Sequence, residues 1–135
     1  MNAITIKTSK KNELIDITGI IREIVSQSGV REGICFVYVP HTTAALLINE
    51  NADPNIKEDF LMTINKIITE HDNYKHDMVD NNAAAHIKAS LIGPSQLMPI
   101  HKGDLFLGVW QSVFLCEFDG PRNRKIYIKI IKENI

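Results

Sequence analysis

Imidazole both titrates near neutral pH and ligates divalent metals, and the five imidazoles of this chain are unevenly spread. Three of them, His71, His76 and His86, fall within HDNYKHDMVDNNAAAHIKAS, among Asp72, Asp77 and Asp80 and just before Lys88 and Ser90. A fourth, His41, ends the apolar run GICFVYVP and opens HTTAALLINENAD. Neutral histidines suit zinc, and three with an open position make a catalytic type of site. Asp77, next to His76, could orient an imidazole from behind. The step from His76 to His86 runs from loop to helix, however, and is not the i, i+4 pair of a zinc-binding helix. Spacing alone therefore also fits solvated loop histidines. His41 sits between two strands, where rims expose side chains. Taken alone, it is better explained by a bond to a backbone carbonyl.

Other polar residues carry weaker signals. In NENAD, Asp53 is accounted for as a helix cap, whereas Glu50 fits a general base, a metal contact or an exposed acid. On a helix, Ser90 shares a face with His86 while Lys88 points elsewhere. An ammonium and a hydroxyl near a metal suit a phosphate ligand; without His86 an ordinary surface helix would be the preferred explanation. Gln111 follows Gly108-Val109-Trp110, where glycine inside a strand marks a bulge or close approach. The lone Trp110 reads as core or interface.

These residues need a scaffold. Residues 3–7 alternate as a half-buried strand, and 14–17 form a second. Thr18 is positioned to cap a helix over 19–28 that Gly29 stops. Residues 33–39 and 42–48 read as strands broken by Pro40. Asp53-Pro54 starts a helix striped by Ile56, Phe60, Ile64 and Ile67 or Ile68. Residues 70–80 lack a period and read as loop. Residues 82–91 suit a short helix ended by Gly93-Pro94. Strands follow over 97–100, 105–118 and 125–131. Clustered strands with two to three helices predict an α+β fold: a mainly antiparallel sandwich or flattened barrel with helices on one side.

The 135 residues, 44% hydrophobic and 23% charged, suit a single domain spanning 1–135. The net charge of −1 offers no basic stripe, which argues against nucleic-acid binding. No apolar run approaches the roughly 20 residues of a membrane helix, and no signal peptide is evident, so no membrane association and a cytoplasmic location are expected. Cys35 and Cys116 lie in apolar strand runs and read as free buried thiols, although a cross-sheet approach stays open.

As a set, HTTAALLINENAD, YKHD, AAHIKASLIGPS, HKGDLFLGVWQ and FLCEFDGPR resemble the YjbQ family, described as secondary thiamine-phosphate synthases. The resemblance implies a β-rich α+β homotrimer with a histidine-bound divalent metal. By this likeness His41, His76 and His86 form the metal group. Glu50 and Lys88 become catalytic candidates, and Asp77, Ser90 and Gln111 substrate-binding ones. The chain departs at Val109, where the family has threonine. The implied activity joins a pyrimidine pyrophosphate to a thiazole phosphate, making a phosphorylated small molecule the substrate. The metal would act as Lewis acid and Lys88 would neutralise charge. Three histidines favour zinc over magnesium, although magnesium suits pyrophosphate better. That mismatch supports a second reading, a non-catalytic homotrimer that binds metal or metabolite and has only incidental synthase activity.

Overall fold

The run 44–50 is apolar almost throughout, as is 113–116, and each such run must be buried on both faces. In the computed structural model, which describes residues 1–134, both lie in a central layer. Strand β4 (Ala44–Glu50) and strand β7 (Gln111–Glu117) pair antiparallel, and β2 (Glu13–Asp16) pairs on the other side of β7. The second sheet has the order β1-β8-β3-β5-β6, with β1 (Asn2–Lys7), β3 (Gly33–Tyr38), β5 (Ser95–His101), β6 (Asp104–Leu105) and β8 (Asn123–Lys132). Every strand pair in both sheets is antiparallel.

Alternation along the central strands builds two cores. Ala44, Leu46, Val113 and Leu115 face the five-stranded sheet and meet Cys35, Val37, Ile126 and Ile128. Helix α1 (Thr18–Ser28) adds Ile21 and Val25 to that core. Ala45, Phe114, Cys116 and Phe118 face the opposite way. They are covered by Ile64 of α2 (Pro54–Ile67) and by Ala84, Ala85 and Ala89 of α3 (Ala83–Ile92). Burying each large side chain contributes roughly 1.5–3 kcal/mol before ordering entropy is charged against it. Among the described residues the fold is thus α+β, with three α-helices and two antiparallel sheets, one of them curled as a half-barrel. The helices do not lie on one side: α2 and α3 cover the small sheet, whereas α1 joins the core between the sheets.

The ends of the helices follow local chemistry. Asp53 caps α2 by accepting the Asn55 N–H at 2.9 Å, with Pro54 opening the helix. Gly29 ends α1 at φ 72°, in the left-handed region glycine tolerates. Thr18 is not the cap of α1: Ile17 occupies that position, and the Thr18 hydroxyl accepts the Val113 N–H at 2.8 Å. The long strand expected over 105–118 is two strands in different sheets. Between them the Gln111 N–H bonds to the Gly108 carbonyl at 3.0 Å, and the Gln111 carboxamide accepts the Gly108 N–H at 2.8 Å, forming a turn. Trp110 sits on that turn, 66% exposed, outside the core. Cys35 and Cys116 are free and belong to opposite cores, so they do not approach each other. Burial pushes the Cys35 thiol up to about 11 and that of Cys116 further up.

Candidate functional site

The loop over 70–80 carries one turn of 3-10 helix, Lys75–Met78, and Asp77 docks it onto α3. One Asp77 oxygen accepts the N–H of Ala83 at 3.0 Å, supplying the cap that Asn82 does not. The other lies 3.4 Å from Nδ1 of His71, so the imidazole beside Asp77 is that of His71, not His76. This docking sets His76 against His86, with ring centroids 4.7 Å apart and planes at 87°. Nε2 of His76 is buried and has no hydrogen-bond partner among the described residues. The nearest carboxylate, on Asp80, is 3.6 Å away, beyond hydrogen-bond length. An orphaned buried polar atom costs about 1–3 kcal/mol, which makes this nitrogen a candidate position for a ligand. Tyr74, Lys75 and Ile87 complete a shallow cleft around the pair.

His41 does not join them. It lines a separate cleft with Thr42, Asn82 and Arg122, and its Nε2 accepts the Lys125 N–H at 2.9 Å. That bond fixes the neutral tautomer with the proton on Nδ1, so neither ring nitrogen offers a free lone pair. Burial and the charges of Arg124 and Arg122 hold its pKa below the usual histidine value, against the pull of Glu117. Among the described residues, no three histidine, cysteine or carboxylate side chains converge on a metal position. A three-histidine centre built from His41, His76 and His86 therefore does not fit within this one chain.

The remaining candidates also disperse. Lys88 is fully buried; its ammonium donates to Asn65 at 2.5 Å, lies 3.5 Å from Glu70 and sits 5.9 Å from the Phe118 ring centroid. Desolvation lowers its pKa, partly offset by Glu70. With no accessible surface, it cannot neutralise charge on a substrate in this conformation. Ser90 donates to the carbonyl of His86 at 2.9 Å, spending its hydroxyl on its own helix. Glu50 and Gln111 face each other across β4 and β7 and share a cleft with Trp110, away from every histidine. His101 closes β5 and pairs with Glu32 at 3.0 Å.

What the sequence reading missed lies under His41. Glu117, fully buried, accepts from Thr8 Oγ1 at 2.7 Å and from Arg124 Nε at 2.9 Å. Its second oxygen accepts from Arg124 Nη2 and from the Asp119 N–H at 3.1 Å. Arg124 Nη2 also reaches Thr43 Oγ1 at 2.8 Å. The available signal was a glutamate inside the apolar run VFLCEF, a position that a strand buries.

The chain matches the UPF0047 protein YjbQ-like family over residues 2–133. It is 49% identical over 126 residues to the UPF0047 protein MJ1081 of Methanocaldococcus jannaschii, covering 93% of this chain and 90% of that one. It is 42% identical over 132 residues to the UPF0047 protein YugU of Bacillus subtilis, covering 97% and 98% of the two. A crystal structure from Sulfolobus solfataricus P2 superposes with a TM-score of 0.94 at 38% identity, covering 98% of this chain and 96% of that one. That protein is described as YbjQ-like and of unknown function. These findings correct the expectation of a metal-associated enzyme with thiamine-phosphate synthase-type activity. The relatives are named by family number alone, and nothing in them supports that catalysis.

Proposed function

The chain belongs to the UPF0047 YjbQ-like family, and from that premise we propose that it is a homotrimeric protein that binds zinc through His76 and His86. The observation that carries this reading is the buried Nε2 of His76, without a hydrogen-bond partner among the described residues and set against the His86 ring. Two imidazoles are half of a tetrahedral zinc shell, and water or a neighbouring copy supplies the rest. Imidazole pairs favour zinc over magnesium, which prefers oxygen. His41 has no part in the binding, because its lone pair is committed to Lys125. The buried free thiols suit a reducing cytoplasm, which is where we place the protein.

The test is isothermal titration with zinc chloride. The native protein should bind zinc, and His76→Ala and His86→Ala should each weaken binding at least about tenfold, since losing even an outer-shell partner of a metal ligand costs that much. His41→Gln should leave it unchanged. Undiminished binding in His76→Ala, or loss in His41→Gln, would overturn the assignment.

Self-association is supported by the outer face of the five-stranded sheet. Ile34, Leu97 and Ile131 are 40%, 62% and 51% exposed there. Register joins them into one patch: Ile34 opposes both Pro99 and Ile131, and Phe36 opposes Leu97. Phe36 and Tyr38 stack beside them with ring centroids 6.2 Å apart. A continuous apolar sheet face of this kind marks an interface. Leu97→Glu should convert the assembly to monomer, read by light scattering after size exclusion. An unchanged trimer would move the interface elsewhere.

A further inference from the structure

The cleft beneath His41 has hydrogen-bonding capacity that the protein itself does not use. It is an opening of about 600 Å³, polar in its lining, between the turn carrying His41 and the turn over 119–122. Arg124 lines it although its side chain is only 4% exposed. The hydrogen bonds of Arg124 leave from Nε and Nη2, and Nη1 has no partner among the described residues. Arg122 likewise spends Nε and Nη2 on Asp119, at 2.8 and 2.9 Å, and its Nη1 has no partner among the described residues. The His41 tautomer fixed by Lys125 adds a third donor, Nδ1–H.

A buried acceptor is also unpaired: Oδ1 of Asn82 has no partner among the described residues. Its orientation is not ambiguous: the other terminus lies 2.8 Å from the Asp119 carboxylate, which only accepts, so that terminus is the NH₂. Among the polar groups of its lining the cleft thus has three spare donors and, buried in its wall, one stranded amide acceptor; the Asp119 carboxylate oxygen that does not face Asn82 and Arg122 is likewise without a partner among the described residues. The charge of the cleft is balanced, because Glu117 offsets Arg124 and Asp119 offsets Arg122. A phosphate dianion would meet little net attraction, whereas one negative charge can still be held by the directed N–H groups.

We propose that this cleft is a binding site for a small monocarboxylate carrying an O–H or N–H donor beside the carboxylate, held by Arg122, Arg124 and His41, with Asn82 accepting from the donor. The site is independent of the zinc pair: it uses a different histidine and none of the same nitrogens.

NMR titration of the native protein with sodium L-lactate, glycine, sodium propionate and inorganic phosphate tests it. Lactate or glycine should shift the Asn82 side-chain amide and the Arg122 and Arg124 Nε signals saturably. Propionate, which lacks the donor, should bind about fivefold or more weakly, and phosphate more weakly still. Arg122→Gln should weaken the hydroxy or amino acid about tenfold, with the thermal midpoint confirming the fold. Asn82→Ala should erase its advantage over propionate. No saturable shift with lactate or glycine, tightest binding by phosphate, or binding indifferent to Arg122→Gln would overturn the proposal.

Discussion

Arg124→Ala should lower the free energy of unfolding by about 3–5 kcal/mol, the usual effect of removing one partner from a buried ion pair. The variant strands the carboxylate of Glu117, which is fully buried, with only Thr8 and the Asp119 N–H left to solvate it. It also removes the donor that ties the Thr43 hydroxyl and carbonyl to β8. Urea denaturation gives the number directly, provided the slope of the transition is unchanged. The double variant Glu117→Leu/Arg124→Met should lose much less than the two single changes added together, because it leaves no unpaired charge. A loss below about 1 kcal/mol in Arg124→Ala would mean that the pair is not sealed from water, since exposed pairs are worth that little. The same variant removes the Nη1 assigned to carboxylate binding, so affinity is better read from Arg122→Gln, whose side chain is 52% exposed.

The scaffold was legible where periodicity had one interpretation. The apolar runs of β4 and β7 have no polar face, which requires burial on both sides, and each feeds two cores. Asp53-Pro54 and Gly29 were readable because caps act locally. The break between β6 and β7 was not, because it depends on a Gln111 side chain folding back onto Gly108. The site was harder for the same reason. His76 and His86 meet because an Asp77 side chain caps α3 across the intervening turn, and no short-range pattern encodes that. His41 lies at the rim, as its position between strands implied, yet the Lys125 N–H that takes its lone pair comes from a strand 84 residues away. Lys88 shows the limit most plainly. A lysine two residues after a histidine reads as surface chemistry, and only tertiary packing under Phe118 and Asn65 makes it interior. Resemblance of motifs located the family correctly, and the activity attached to the family name did not follow.

Gly120→Ala should destabilise the protein by about 3 kcal/mol, at the upper end for one added carbon in a packed site. A Cβ at Gly120 would overlap the carbonyl oxygen of Lys10, and it would lie 2.8 Å from Glu117 Cγ and 3.0 Å from Thr8 Oγ1. The carbonyl belongs to backbone held in place nearby: the Gly120 N–H bonds to Lys11 at 3.1 Å, and the Thr8 N–H bonds to Arg122 at 2.8 Å. The clash therefore cannot be relieved by turning a flexible side chain. It would have to move the whole turn, and with it Asp119 and Arg122, so carboxylate binding should fall along with stability. Gly19→Ala is the matched control, since a Cβ there meets nothing within 4 Å and the residue lies in α1. It should be neutral or stabilise by up to about 1 kcal/mol, the helical advantage of alanine over glycine. Thermal or urea unfolding of the two variants side by side separates steric exclusion from a general effect of losing glycine. Equal behaviour of the two would show that the 119–122 turn yields more readily than its backbone bonds imply, and the cleft it walls would then be a mobile surface instead of a formed site.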